Sequence, residues 1–414
     1  MVTAAHDRSD EVAPSAEDRL APVGEALQVV CLASQPWHVD LPTNRQQIMA
    51  RVAQRGHDVL YVQTDGFLGR YLLALVRGPE RRSQLRQLVR SDPVTARVRV
   101  MKAAAPLPWG HRFRLAARVN AALTARAIRR RVRASGRPTV LWIYDPCFAD
   151  CVGRCGERFA VYDCVDDYVE QAGTDPRRRA LVAAYDELAA ARARIVFTTT
   201  RSLADRHRGQ NPKTHVVRNV GDFDHFAPAV SPELATGAVA SLPRPVIGFA
   251  GNFLAQKVDF ELLEAIASRR PRWSLVLVGP AREDTRAALD RIASREHVHW
   301  LGWVPYEELP RIVAGFDVGI IPYVSNAYTA SCFPLKTFEY LAAGKPVVAS
   351  GLPELAGLEP GVFLADDPDA FVAEVERALT QTSDAEVAAR RRLAAENTWD
   401  TRTGRLLELV AAEL

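Results

Sequence analysis

Residues 329–350 read TASCFPLKTFEYLAAGKPVVAS, and the fold can be built outward from them. Pro334 suits the first turn of a helix, where its missing N–H costs nothing. Gly344 suits the position just past the helix end, and Lys345-Pro346 launches a strand over 347–349. The spacing predicts a helix over 334–343. Its start offers free backbone N–H groups and a positive dipole end, for which a diphosphate is a natural guest. Lys336 lies in that first turn, where a cation opposes the dipole, and a bound phosphate would neutralise it. Glu339, three residues on, shares a face with Lys336. Either the two form an exposed ion pair on a surface helix, or the carboxylate accepts hydrogen bonds from a ribose diol.

On both sides of this stretch, apolar runs alternate with helical periodicities, which predicts parallel sheets covered by helices. The first series places strands at 28–33, 59–63, 140–144, 159–162 and 195–198, with helices at 43–54, 112–133 and 177–191. The second places strands at 246–250, 274–278, 297–300, 318–322 and 346–349. Its helices fall at 260–268, 285–294, 305–314, 334–343 and 368–380. The reading is an α/β chain of two Rossmann-like, doubly wound domains, 25–218 and 246–393, facing each other across a cleft. A linker over 219–245 joins them, where Pro and Gly interrupt mixed polar sequence. Ligands of open α/β sheets bind at the carboxyl ends of the strands. Residues 394–414 form an amphipathic helix that either completes the second domain or crosses back to the first. Residues 1–24 lack an apolar run and read as a disordered tail rather than a signal peptide.

The 414 residues, 48% hydrophobic and 25% charged, describe an ordinary soluble protein. No apolar stretch approaches the ~18 residues needed to cross a bilayer. The six cysteines are expected to be reduced and the compartment cytoplasmic. The net charge of +4 hides an asymmetry: residues 51–150 hold 20 basic against 6 acidic side chains, and residues 351–414 hold 6 against 13. The basic block includes Arg81, Arg82, Arg86 and Arg90, then Arg129, Arg130, Arg131 and Arg133. It is either a set of solvated helix faces or a field for an anionic partner. That partner would be a carboxylate- or phosphate-bearing acceptor or the acidic face of a membrane. No recognition motif accompanies the charge, so no nucleic-acid partner is expected.

The pattern Pro334-Leu335-Lys336-x-Phe338-Glu339-Tyr340-Leu341-Ala342-Ala343-Gly344-Lys345-Pro346 resembles the nucleotide-sugar motif of GT-B glycosyltransferases. The resemblance is to the family-4-like branch that includes teichuronic acid and other polysaccharide glycosyltransferases. Gly248-Phe249-Ala250-Gly251-Asn252, Leu277-Val278-Gly279-Pro280, Trp300-Leu301-Gly302-Trp303-Val304-Pro305 and Phe316-Asp317-Val318-Gly319-Ile320-Ile321-Pro322 follow in the family's order. The resemblance implies transfer of a sugar from a UDP-, GDP- or dTDP-sugar to a small-molecule or lipid-linked acceptor, with no metal or other cofactor. It places the base near Gly302 and Trp303, the ribose on Glu339, and the diphosphate on Lys336, Lys257 and the turn at Pro334 and Leu335. Gly251, Asn252 and Tyr323 complete the donor wall. Two positions depart from the family. Ser331 stands where the family's first Glu contacts the transferred sugar, and Asn252 stands where it has an Arg on the diphosphate. The resemblance therefore leaves the sugar and the stereochemical course open. A nucleotide-sugar epimerase on the same scaffold, or a binding protein that has lost catalysis, are the alternative readings.

Several strand ends of the first domain carry polar groups. Trp37 could stack on a sugar ring and His38 could accept a proton; His38 is otherwise a plain loop or core histidine. Tyr144-Asp145 and Tyr162-Asp163-Cys164-Val165-Asp166-Asp167 follow other strands. Crowded carboxylates in a partly desolvated cleft raise one pKa, which favours general-base work; Asp is equally a helix N-cap. The resemblance to inverting relatives selects Asp166 as the base, with His38 and Asp145 in reserve. Trp37, His38, Tyr144, Asp163 and Asp167 are the acceptor-side candidates. Cys147, Cys151 and Cys155, at i, i+4 and i+8, read as small buried hydrophobes rather than a metal site.

Overall fold

The computed structural model describes residues 25–63, 92–103, 107, 113–133 and 136–414. The expected tail over 1–24, Arg112, and the arginines Arg81, Arg82, Arg86 and Arg90 lie outside the described residues.

Eight strands make the first sheet: β1 (Gln28–Ala33), β2 (Asp58–Gln63), β3 (Asp92–Pro93), β4 (Val98–Lys102), β5 (Thr139–Ile143), β6 (Phe159–Cys164), β7 (Ile195–Thr198) and β8 (Thr214–Val216). They lie in the order β3-β4-β2-β1-β5-β6-β7-β8. Every neighbouring pair is parallel except β3 with β4. Along β1, Val29, Cys31 and Ala33 enter one buried cluster while Val30 and Leu32 enter another. That is the period of two expected of a strand covered on both faces. Helix α1 (Asn44–Gln54) covers the first face through Ile48, Met49 and Val52. Helices α2 (Arg114–Val132), α3 (Pro176–Arg192) and α4 (Arg201–Arg208) cover the other, through Ile128, Tyr185, Ala189 and Leu203.

Six strands make the second sheet, all paired in parallel. They are β9 (Val246–Ala250), β10 (Ser274–Val278), β11 (Val298–Trp300), β12 (Val318–Pro322), β13 (Val347–Ser350) and β14 (Val362–Leu364), in the order β11-β10-β9-β12-β13-β14. Helices α5 (Phe260–Arg269), α6 (Glu283–Ala293), α7 (Lys336–Ala342), α8 (Pro368–Leu379) and α9 (Asp384–Glu396) belong to this half. β10 and β12 are buried along their whole length, which is why they read as continuous apolar runs. The expected linker contains one-turn helices, among them Phe223–Phe226, and Phe226, Ala229 and Val239 belong to the second domain's core.

The C-terminal helix expected over 394–414 is present, separate from the helix before it. α9 ends at Glu396, and the Thr398 side chain caps a new helix, α10 (Trp399–Ala411), by accepting from the Thr401 N–H at 3.2 Å. α10 crosses back to the first domain, where Trp399, Leu406, Leu407 and Val410 join the cluster that contains α1. Arg51 on α1 pairs with Asp400 at 3.0 Å, and Glu413 pairs with both Arg194 and Lys213 at 2.6 Å.

Candidate functional site

In the first sheet the strand order reverses between β1 and β5, and in the second between β9 and β12. Ligands lodge at such switch points, beyond the carboxyl ends of the strands. A cavity of about 570 Å3 lies between the two sets of strand ends. Gln35 and residues 40–45 line it after β1, and Val165, Asp166 and Gln171 after β6. The second domain contributes Gly251, Asn252 and Lys257 after β9, Gly279 and Pro280 after β10, then Trp303, Tyr323, Pro334, Leu335, Lys336 and Glu339.

α7 starts at Lys336, two residues later than the sequence predicts. Pro334 and Leu335 form the turn leading in, their carbonyls accepting from Thr337 N at 3.3 Å and Phe338 N at 3.1 Å. The Lys336 ammonium donates to the Tyr323 hydroxyl at 3.1 Å and lies 5.0 Å from the Phe249 ring centre. Lys257 lies 5.0 Å from the ring centre of Tyr328. Burial works against the charge of Lys257, but Tyr323 and Asp166 nearby keep its pKa raised. Among the described residues neither lysine has a carboxylate within ion-pair distance, so both present positive charge to the cavity. Gly251 makes room for this: a Cβ there would lie 2.8 Å from the Lys336 Nζ. Burial pushes the Glu339 carboxyl up to about 7, with Lys336 pulling down and Asp222 pushing up.

On the opposite wall, Asp166 stands just beyond β6. Its carboxylate accepts from the Asp167 N–H at 2.9 Å, from the Tyr328 hydroxyl at 3.3 Å and from the Gln171 amide. Tyr328 belongs to the second domain, so this contact spans the cleft. Burial raises the Asp166 pKa and the Lys257 charge lowers it.

The other candidates are placed elsewhere. Asp163 lies within β6, wholly buried, where it accepts from Trp142 Nε1 at 3.2 Å and faces Arg402 of α10 at 3.6 Å. The expected strand stopped two residues short, and the extra pair turns Asp163 into the sheet face that α10 covers. Asp167 is likewise buried, held by Arg206 at 2.8 and 2.5 Å while capping the helical turn Tyr168–Gln171. Asp145 caps a short 3-10 turn by accepting from Cys147 N at 2.9 Å. Tyr144 is in the core. Trp37 packs edge-on against Tyr61, with ring centres 5.1 Å apart, and His38 is exposed; neither is on the cavity wall. Gly302 makes a left-handed turn behind the wall, while the neighbouring Trp303 stands 59% exposed at the mouth.

Ser331 is also off the wall. It is 4% exposed, and its Oγ lies 3.2 Å from Ser202 Oγ across the domain boundary. The Ser202 N–H, in the first turn of α4, donates to Glu354 at 3.0 Å. The sequence reading passed over Tyr328 and Gln171, which carry no local signal. It also passed over Arg45, which does carry one: a cation in the first turn of α1, the same anomaly that singled out Lys336 in α7. Among the described residues, Cys164, Asp186 and His207 bring three potential metal ligands within 4.8 Å. They are buried in the first domain, and the Tyr162 hydroxyl already donates to Asp186. The Cys151 and Cys155 thiols are buried with them in that domain's core.

Residues 244–381 match the family of glycosyl transferases group 1. Over 177 residues the chain is 32% identical to TuaH of Bacillus subtilis (strain 168), a protein named for glycosyl transfer in teichuronic acid biosynthesis. The match covers 42% of this chain and 44% of that one. Over 202 residues it is 26% identical to 2-deoxystreptamine glucosyltransferase of Streptomyces kanamyceticus, covering 45% and 50% of the two chains. The chain thus spans about half the length of the curated relatives it matches. Among solved structures, sucrose-phosphate synthase from Thermosynechococcus elongatus aligns with a TM-score of 0.68 at 17% identity, covering 94% of this chain and all of the other. HepE of Anabaena, solved with UDP and glucose, aligns with a TM-score of 0.63 at 15% identity and the same coverage. The chain carries a group 1 glycosyltransferase domain at 244–381, set in the two-domain GT-B fold.

Proposed function

We propose that the protein transfers a glycosyl group from a nucleoside-diphosphate sugar to an anionic small-molecule or lipid-linked acceptor. The observation that carries this reading is the pair Lys257 and Lys336, both directed at a cavity between strand ends and without a carboxylate partner among the described residues. In this reading the diphosphate lies on those two ammonium groups and the turn at Pro334 and Leu335. The ribose diol donates to Glu339, and the base lies toward Trp303. Asp166, on the facing wall with its pKa raised by burial, takes the acceptor proton. The relatives' names and the UDP held by the Anabaena neighbour support the donor class. Positive side chains supply the charge stabilisation that a bound metal would otherwise give, so the activity is expected to survive EDTA.

The test is incubation with UDP-, GDP- and dTDP-sugars, following release of the nucleoside diphosphate. Slow release without acceptor, stimulated by acceptor, supports transfer. Interconversion of the sugars, or no turnover with any donor, rejects it.

Contact of the first domain with an anionic membrane belongs to the same reading. Phe113, Leu115, Val119 and Leu123 are exposed along α2, the last three at i, i+4 and i+8, beside exposed Arg118, Arg126, Arg129 and Arg130. An apolar stripe flanked by arginines fits an acidic lipid surface. No helix among the described residues is long and apolar enough to cross a membrane. Co-sedimentation with vesicles containing phosphatidylglycerol, reduced by Leu115→Ser with Leu123→Ser, would support this contact. Equal sedimentation of the variant would count against it.

A further inference from the structure

The cavity contains a third cation that the donor does not use. Arg45, the second residue of α1, lines the first-domain wall and is 7% exposed. Its Nη2 donates to the Tyr168 hydroxyl at 3.2 Å and its guanidinium carbon lies 5.6 Å from the Tyr144 ring centre. Its Nε has no hydrogen-bond partner among the described residues, and neither has the Oδ1 of its neighbour Asn44, which is 6% exposed on the same wall. No carboxylate among the described residues lies within ion-pair distance of Arg45. The other two arginines of the same region differ in having a carboxylate partner: Arg51 and Arg55 both reach Asp400, at 3.0 and 3.4 Å, although Nη1 of Arg55 also lacks a hydrogen-bond partner among the described residues.

A buried guanidinium is permanently charged and costs stability unless paired. Here it stands at the start of an 11-residue helix, whose first-turn N–H groups have no intrahelical acceptors and whose dipole end is positive. A cation at that place is unfavourable twice over, and both costs are relieved by an anion. The donor diphosphate is assigned to the opposite wall, so it does not supply that anion.

We propose that Arg45, with the α1 start, is an acceptor subsite that binds a carboxylate or phosphate group on the acceptor. The proposal rests on the donor reading above for the identity of the second ligand. Arg45 and Asp166 both line the first-domain wall of the cavity, so an acceptor anchored at Arg45 has its nearby hydroxyls on the same wall as that carboxylate.

The test uses protein saturated with UDP, which fills the donor wall, titrated with inorganic phosphate, acetate and neutral glycerol at constant ionic strength. Binding is read by calorimetry. Phosphate or acetate is expected to bind and glycerol not to; the stronger of the two anions tells which acceptor chemistry the site takes. Arg45→Gln is expected to weaken the anion at least tenfold while leaving the UDP affinity unchanged, and Arg45→Lys to fall between. Lys336→Gln should weaken UDP and leave the anion binding intact once UDP is saturating. Absence of anion binding to UDP-loaded wild type, or retention of it in Arg45→Gln, overturns the subsite. If Arg45→Gln does not fold, the wild-type comparison of anions with glycerol decides. Failure of UDP itself to bind rejects the donor reading instead, and phosphate titration of wild type against Arg45→Lys without UDP still reads this site.

Discussion

Arg402 on the last helix lies 3.6 Å from Asp163 in the first sheet, and neither side chain has any exposed surface. The same guanidinium donates to the Arg218 carbonyl at 2.6 Å and to Asn219 Oδ1 at 3.0 Å. One buried cation therefore joins the last helix, a central strand and the start of the linker. Removing one partner of a buried pair leaves an uncompensated charge, which costs about 3–5 kcal/mol. Arg402→Met is expected to lower stability by that amount in urea unfolding. The double variant Arg402→Met with Asp163→Leu should recover much of the loss. A loss under about 1 kcal/mol in the single variant would show that the pair anchors nothing.

Glu339 gives the site a pH dependence. Its carboxyl is pushed up to about 7 by burial, above an unfolded value near 4.5. Because the folded value is the higher, the group favours folding below pH 4.5 and this contribution is lost as pH rises through 7. Nucleotide binding runs the other way, since only the carboxylate accepts from both ribose hydroxyls. UDP affinity is expected to rise between pH 6 and 8 in wild type. Subtracting the profile of Glu339→Gln removes the ionisation of the diphosphate itself. Identical profiles would remove Glu339 from the ribose site.

Lys336→Met is expected to weaken UDP by roughly 10- to 100-fold, as loss of a charge-assisted contact worth about 1.5–3 kcal/mol. Uridine affinity should not change. Equal loss for both ligands would mean that Lys336 shapes the pocket rather than holding phosphate.

Gly221 lies in the linker against α7. A Cβ there would fall 2.8 Å from Phe338 Cβ and 2.9 Å from the Glu339 backbone N. Gly221→Ala is expected to cost about 1–3 kcal/mol through overpacking and to shift α7, raising the UDP dissociation constant. Unchanged melting and unchanged UDP binding would show that the linker yields without moving α7.

Glu354 accepts from the first turn of α4, where a carboxylate meets a positive dipole end. Glu354→Ala should loosen this contact between the domains at a cost of about 1 kcal/mol, and the radius of gyration from X-ray scattering should increase. No change in scattering would mean that other contacts hold the domains in place.

The long buried strands were legible because both faces are covered, so β1, β9, β10 and β12 spell continuous apolar runs. The donor stretch was legible for a different reason: Pro334, Lys336 and Gly344 each break a local rule or fill a special position. β4, β8 and β14 escaped notice as segments of three to five residues, too short to show a period. The aspartates of 163–167 could not be sorted, because a strand end misplaced by two residues exchanges a core carboxylate for a cleft carboxylate. Only Asp166 falls beyond the strand on the cavity side.

The chain passes between its two lobes twice. Gly221 on the outward crossing bridges Thr398 on the return, and its N–H reaches the Asn397 carbonyl at 3.3 Å. Two tethers stitched side by side act as a door hinge rather than a ball joint. Shearing the lobes past each other would break that bridge, whereas a swing about the seam would preserve it. A swing that keeps the bridge intact would return the two facing walls of the cavity to the same register each time.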